Sequence, residues 1–470
     1  MLFSSIVFLV YFLPMVLVLY YATFWSRKMQ NVLLFIMSLV FYAWGEPSFV
    51  FLMLGMVGFL YVMGLVMDRY PKKILLVITL AGNLSVLVWY KYFNFIVENL
   101  NQTLGEQYQI PMHHVTMPIG ISFFTFQAMS YAIDVYHKRV KVQKNPLYLG
   151  LYIAFFPQLV AGPIVRYSDM EEQILGRKES MEKFSAGWCR FLVGLSKKIL
   201  LSNSLAVIAD RIFTMQEYHS IPVILAWLGA IAYTLQILYD FAGYSDMAIG
   251  LALVFGFKFE ENFNYPYTSK SISEFWRRWH ISLGAWFREY VYIPLGGSRV
   301  ENKDKMVRNL LVVWILTGIW HGANWTFLLW GLFNFIFIFF EKFMEFERLD
   351  IPSPIKHIYS MMAVMIGWVL FRSNDLIQAG RYIANLFGFG ADGFFSDYAW
   401  MFVKENFLVL LAAIVFTMPV ARTVNQHLYE QKRGYRVLEF CYPATMFLLV
   451  LLCLSCLVKG TYNPFIYFNF

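Results

Sequence analysis

Apolar stretches recur along the chain with lengths that suit a bilayer. They fall at Leu2–Phe24, Asn31–Trp44, Phe49–Met67, Ile74–Tyr90, Met117–Tyr136, Leu147–Val165, Phe184–Phe213, Ile221–Phe257, Asn309–Ile319, Thr326–Phe340, His357–Phe371, Phe407–Val420 and Leu438–Val458. A hydrocarbon core about 30 Å thick takes roughly 20 apolar helical residues to cross, and only helices or closed barrels satisfy their backbone there. The pattern predicts an all-α polytopic membrane protein with about ten or eleven spans plus shorter re-entrant or interfacial helices. We expect one integral-membrane domain, 1–470. Leu2–Phe24 lacks a basic leader and a small-residue cleavage site, so it reads as a retained helix. Phe184–Phe213 is interrupted by Lys197-Lys198. Ile221–Phe257 is too long for one span, and a break is predicted at Asp240-Phe241-Ala242-Gly243.

Charge orients these runs. Basic loops lie at Arg27-Lys28, Arg69–Lys73, Lys138–Lys144, Arg166–Lys198 and Lys432–Arg436, whereas Tyr92–Thr116 and Leu386–Phe402 carry neither Lys nor Arg. The positive-inside rule places the basic loops in the cytoplasm and the two aromatic, weakly acidic segments outside. Leu147–Val165 has basic sequence on both sides and therefore reads as re-entrant. Composition agrees: 59% of residues are hydrophobic and 14% charged, with mean hydropathy +0.54. A net charge of +8 would suggest nucleic acid in a soluble chain, but positive-inside loops account for it here, and no nucleic-acid partner is expected. The four cysteines, Cys189, Cys441, Cys453 and Cys456, lie in apolar surroundings and read as packing residues.

Polar positions inside apolar sequence carry the candidate chemistry. Trp320-His321-Gly322-Ala323-Asn324-Trp325 sits between two apolar runs, with Lys303, Lys305 and Arg308 before the first and Lys342, Arg348 and Lys356 after the second. The runs should form a hairpin with His321 near its tip, roughly 18 Å along a helix from Arg308. An ionisable group at that depth is a functional-site candidate, and histidine suits general base work. A packing histidine is the plain alternative, although Asn, Ser or Thr would fill that role at lower cost. The stretch Ser271–Arg299 is unusually polar and aromatic. Trp276 and His280, four apart, should share a helix face with Trp279 beside them. The segment reads either as an interfacial amphipathic helix or as a cytoplasmic landing site. In the second case Arg277, Arg278 and Arg288, with Trp276 and Trp279, would receive an anionic donor such as a phosphate-bearing thioester carrier. No serine elbow, zinc-protease motif or Walker loop is present, and His113-His114 are adjacent, which is poor metal-ligand geometry. No metal is expected.

These motifs resemble the membrane-bound O-acyltransferase family, in its bacterial branch of the alginate O-acetyltransferase membrane subunit and the teichoic-acid D-alanyl transferase. The resemblance rests on Phe275-Trp-Arg-Arg-Trp-His-Ile-Ser-Leu283, Trp286-Phe-Arg-Glu-Tyr290, Tyr292-Ile-Pro-Leu-Gly-Gly297 and Gly318-Ile-Trp-His-Gly-Ala-Asn-Trp325. Supporting stretches include Phe41-Tyr-Ala-Trp-Gly45, Pro118-Ile-Gly-Ile-Ser-Phe-Phe-Thr-Phe126, Pro157-Gln-Leu-Val-Ala-Gly-Pro163, Asp240-Phe-Ala-Gly-Tyr-Ser-Asp246 and Asn463-Pro-Phe-Ile-Tyr-Phe468. It implies a ring of helices around a central funnel in a bacterial cytoplasmic (inner) membrane. By match, His321 takes the catalytic histidine position and His280 the second, polar one.

The expected reaction moves an acyl group, acetyl foremost, from a cytoplasmic thioester to an extracytoplasmic hydroxyl. The donor is acetyl-CoA or an acyl-carrier protein, used as co-substrate with no bound cofactor. The acceptor is a polysaccharide, as in alginate biosynthesis, or a membrane-anchored or extracytoplasmic acyl-accepting partner protein. Asn324 is a candidate oxyanion donor. D-alanyl transfer to teichoic acid is the nearest alternative. A transporter or flippase is the rival from another class, and substrate-dependent thiol release would separate it from an acyltransferase.

Overall fold

The computed structural model describes residues 1–105, 108–112, 116–298, 303–430, 432–460 and 462–466. The His113-His114 pair, Arg299 and the Tyr467-Phe468 part of the tail motif lie outside them. Among the described residues the regular structure is helical, and the sole β contact is an isolated antiparallel bridge between Phe263 and Trp279. Eight helices among the described residues are long and apolar enough to cross a membrane: Phe49–Arg69, Lys73–Asn101, Met181–Tyr218, Val223–Val254, Trp325–Phe343, Ser353–Arg372, Asp397–Val415 and Glu439–Val458. The chain is an all-α polytopic membrane protein. Other apolar runs of the sequence form shorter helices, among them Val7–Ala22, Arg27–Ala43 and Ile121–Tyr136.

The chain divides into two compact units. The first comprises Met1–Trp188 and Met247–Glu260. Its centre is Ile121–Tyr136, nearly every residue of which is buried, packed by Phe49–Arg69 and Lys73–Leu87. Leu147–Val165 contains two short buried helices, Pro146–Ala154 and Phe156–Leu159. Asn145 caps the first, and Ser38 Oγ accepts from the Phe156 amide at 3.1 Å. Nearby, Arg27 and Tyr20 both donate to Glu179, and Arg177 lies over the Phe257 ring at 4.2 Å. Burial alone would raise the Glu179 carboxyl, but the Arg27 and Tyr20 hydrogen bonds override it and hold it below the usual carboxylate range.

The second unit, Cys189–Asp246 and Glu261–Phe470, contains every candidate site residue. The break expected at Asp240–Gly243 is absent: Val223–Val254 is one continuous helix of 32 residues. The reason is that its acidic groups are paired in place. Lys198 Nζ lies 2.6 Å from Asp240 Oδ1, with both side chains almost fully buried, and Lys197 Nζ lies 2.6 Å from Asp246 Oδ2. The two consecutive lysines reach carboxylates six residues apart from a π-helical stretch, Lys197–Ser202. π-bulges of this kind are frequent at functional sites.

The Lys198–Asp240 pair also holds the C-terminal tail. Asp240 Oδ2 accepts from the Ile466 amide at 2.8 Å, and the Lys198 ammonium donates to the Pro464 carbonyl and lies over the Phe465 ring. Asn203 Nδ2 donates to Asn463 Oδ1 at 3.2 Å. Removing one partner of a buried pair leaves an uncompensated charge, at about 3–5 kcal/mol, whereas apolar replacement of both is often close to neutral. Lys198→Met alone should therefore lower the unfolding temperature in detergent markedly, and Lys198→Met with Asp240→Leu should recover most of the loss. A double variant no more stable than the single one would show that the ions are needed for more than mutual neutralisation.

Candidate active site

His321 is the last residue of the helix Lys303–His321, and Trp325–Phe343 returns from it after three residues. The hairpin expected from the basic flanks is formed, with the imidazole at its tip. Two glycines allow the helices to cross in contact. A Cβ on Gly318 would lie 2.5 Å from the Phe327 carbonyl oxygen, and one on Gly331 would lie 2.4 Å from the Trp314 carbonyl oxygen. Small residues give membrane helices this close approach, where van der Waals packing must replace a hydrophobic driving force. The crossing fixes the direction in which His321 leaves its helix.

Aromatic rings enclose the imidazole. Trp320 and Trp330 have centroids 4.9 Å from it, and Phe371 lies at 5.1 Å. Trp320 is also 6.1 Å from the His280 ring, so one indole adjoins both histidines. His280 is not on one helix with Trp276. The helix Ile272–Arg278 stops, Trp279 is extended, and His280 takes a left-handed conformation (φ 46°) before Ile281–Phe287 begins. The chain turns there because Asn264 N donates to Arg278 O and Ile281 N donates to Asn262 O, the pairings around the Phe263–Trp279 bridge. Asn262 organises this corner. Its Oδ1 lies 3.2 Å from His280 Nδ1 and accepts from Ser282 Oγ at 2.9 Å, while its Nδ2 donates to Ser245 Oγ at 2.9 Å. Because Oδ1 only accepts, the Nδ1 of His280 carries the proton and Nε2 is the acceptor. Asn262 was invisible to sequence reasoning, being 18 positions from its partner with no periodicity linking them.

Two cavities of opposite character lie beside the hairpin, and His321 is in the lining of neither. The first, about 200 Å³, is mostly apolar, with Trp276, His280, Trp314 and Thr317 among its lining and exposed Arg288 and Lys342 as its cations. Leu310, Val313, Trp314 and Thr317 line it from one helix face, and His321 continues that face one turn beyond Thr317. The second, about 500 Å³, is mostly polar and borders Asn324, Phe327 and Phe371 at the hairpin tip.

The structure brings some predicted residues together and leaves others apart. Trp276 and Arg288 reach the first cavity. Trp279 is buried among Phe263, Phe275 and Trp368 instead. Arg277 pairs with Glu347 and Arg278 with Glu274, so neither guanidinium belongs to the cavity lining. Asn324 borders the second cavity, but its Oδ1 caps the following helix at Thr326 N and its Nδ2 donates to the Asn374 carbonyl. Lys342, Tyr292 and Thr317 also line the first cavity. Thr317 was discoverable, since it stands one turn before His321. Among the described residues no group of three His, Cys, Asp or Glu side chains is placed to hold a metal ion.

Burial pushes the His280 imidazole well below the ordinary histidine range, so it is neutral at physiological pH. A histidine depressed in the folded state contributes stability that is complete above about 6.5, its unfolded value, and is lost as pH falls below it. One differential proton is worth about 1.4 kcal/mol per pH unit. His280→Asn retains a polar side chain that tolerates left-handed backbone. The wild type should therefore lose thermal stability more steeply than this variant between pH 6.5 and 4.5, as read by parallel melting curves. Identical slopes would contradict the buried, neutral state.

Comparison with known proteins accords with this architecture. The family model described as MBOAT, membrane-bound O-acyltransferase family, matches residues 65–348. The chain is 37% identical to the "Probable alginate O-acetylase AlgI" of Pseudomonas putida, with 100% of both chains covered. It is 31% identical to the "Peptidoglycan O-acetyltransferase" of Helicobacter pylori over 92% of this chain and 90% of the relative. Identity to the "Teichoic acid D-alanyltransferase" of Bacillus subtilis is 30%, over 49% of this chain and 62% of the relative. With the family model spanning more than half its length and full-length relatives on either side of it, the chain belongs to the membrane-bound O-acyltransferase family and is a multi-pass membrane O-acyltransferase.

Proposed function

We propose that the chain transfers an acyl group, acetyl foremost, from a cytoplasmic thioester to a hydroxyl of an extracytoplasmic polysaccharide or partner protein, with His321 as general base. The observation that carries this is the buried His321 imidazole at the hairpin tip, 5.1 Å from Phe371, which lines the polar cavity, and one turn beyond Thr317, which lines the apolar one. The apolar cavity suits the donor: apolar walls accept an acyl chain and its thioester, and Arg288 and Lys342 attract the phosphates of coenzyme A or of a carrier protein's prosthetic arm. The polar cavity suits a hydroxyl acceptor.

In the reaction, the imidazole takes the hydroxyl proton as the oxygen attacks the thioester carbonyl. The C–O bond forms, the C–S bond breaks, and the proton passes to the departing thiolate. The end of the Lys303–His321 helix favours positive charge, which suits the transient imidazolium. A thioester is already activated, so positioning and base catalysis supply the remaining barrier reduction. His280, neutral and bonded to Asn262, shapes the donor cavity and shares Trp320 with the base. Coverage of 100% and 92% of the chain by two acetylating relatives, against 49% by a D-alanylating one, supports acetyl over D-alanyl.

The setting is a bacterial inner membrane with the basic loops in the cytoplasm. A membrane-anchored or extracytoplasmic partner docks on the outer aromatic surface, where Phe389, Phe395 and Trp400 are largely exposed. His321→Ala should lower thiol release from acetyl-CoA by about 10²–10⁴ with expression and melting temperature little changed. Near-normal turnover by the purified variant would remove His321 from the mechanism. In a cysteine-free background, single cysteines at Asn101 and Asp392 should react with an impermeant reagent from outside, and those at Gln143 and Lys303 should not. Outside labelling at Lys303 would invert the hairpin.

A further inference from the structure

The helix Ile272–Arg278, which carries Trp276 to the apolar cavity, is held by a buried acid. Glu341 is 4% exposed, and each of its oxygens accepts from an amide in the first turn of that helix. Oε1 takes Ile272 N at 2.6 Å and Oε2 takes Ser273 N at 2.8 Å, while the Tyr359 hydroxyl donates to Oε1 at 3.3 Å. These donors are all neutral. Burying a carboxylate against neutral donors is costly, and leucine or glutamine would fill the space with less loss. What the carboxylate alone supplies is two acceptors and no donor, joined by charge-assisted bonds. Ser271 Oγ accepts from the Glu274 amide at 3.0 Å, so the first three N–H groups of the helix are all occupied. Asn334 stands two turns before Glu341 on the helix Trp325–Phe343, and its Oδ1 accepts from Trp276 Nε1 at 2.9 Å. Trp330, a further turn back, lies 4.9 Å from the His321 ring and 5.4 Å from that of Trp276. Trp330, Asn334 and Glu341 share one helix face. Over about 16 Å, at 1.5 Å per residue, that face ties the cavity wall to the imidazole.

We infer that Glu341 and Asn334 are positioning residues for the donor: they hold the Trp276 wall of the apolar cavity in place relative to His321, so that a thioester resting on the wall meets the base. The inference rests on the donor cavity and the reaction proposed above. Neither side chain lines the cavity, and both act through Trp276. With Glu341 gone, the first turn of Ile272–Arg278 keeps only its Ser271 cap, and the indole loses its fixed place. Glu341 also adjoins Lys342, a cation of the cavity lining. By Coulomb attraction alone, removing a negative charge there would tighten the hold on phosphates. Lost anchoring weakens it, so the direction of the change separates the two effects.

The experiment titrates acetyl-CoA into the purified full chain by calorimetry. Glu341→Gln keeps the size of the side chain but sets an NH2 group against a backbone N–H. Asn334→Leu leaves the indole N–H without its acceptor. Each should raise the Kd for acetyl-CoA about tenfold, as for the loss of one hydrogen bond, and Trp276→Phe should do the same. Because Glu341 acts through Trp276, Glu341→Gln combined with Trp276→Phe should stay near tenfold, whereas independent effects would multiply to about a hundredfold. Unchanged or tighter binding in Glu341→Gln, or a hundredfold loss in the double variant, would overturn the inference. Where Glu341→Gln does not fold, Asn334→Leu, alone and combined with Trp276→Phe, decides by the same criteria. Failure of the underlying reading looks different. No binding by the wild type, or binding that Trp276→Phe leaves unchanged, would remove the coenzyme A donor from the apolar cavity and the inference with it.

Discussion

The backbone contact between the two hairpin helices is the constraint on which the candidate site depends. Lipid tails are as apolar as leucine, so helices in a membrane gain little by hiding apolar surface from lipid. They are held instead by close fit, and Gly318 and Gly331 bring each helix against a carbonyl of the other. Any larger side chain at either position would push the helices apart. The His321 imidazole would then leave the aromatic box formed by Trp320, Trp330 and Phe371.

Around that hairpin the second unit resolves its buried charges by pairing them rather than by excluding them. Lys197, Lys198, Asp240 and Asp246 join two long helices, and Arg372 with Asp210 borders the polar cavity. Each pair consumes charge that would otherwise have to be solvated at depth, and what remains at the cavity surfaces is neutral hydrogen-bonding capacity on one side and exposed cations on the other. The chemical asymmetry between the two cavities follows from this arrangement.

Much of this was legible in the order of residues. The spans and the histidine hairpin came from apolar runs and basic flanks, which are local properties. The break expected in Ile221–Phe257 did not occur because the partners of Asp240 lie at Lys198 and Ile466, and a local rule about polar residues has no access to distant neighbours. The misplacement of His280 on the Trp276 helix has a similar origin. Four-residue spacing predicts a shared face only while the helix continues, and the Asn262 and Asn264 bonds that end it come from another segment. Arg277 and Arg278 looked available because a cation's ion-pair partner, here Glu347 or Glu274, cannot be identified from charge runs alone.

The concentration of indoles has an optical consequence. Trp276, Trp279, Trp314, Trp320, Trp330 and Trp368, six of the chain's fourteen tryptophans, form a connected set in which neighbouring rings are about 5–6 Å from one another or from a site histidine. Excitation energy migrates readily between indoles at such separations, and an imidazolium quenches a tryptophan beside it far more than neutral imidazole does. Trp320, touching both histidines, is placed to drain the emission of the whole set whenever either ring gains a proton. The indole cluster thus amounts to a spectroscopic reporter within the candidate site, one that would register protonation of the proposed base without any added label.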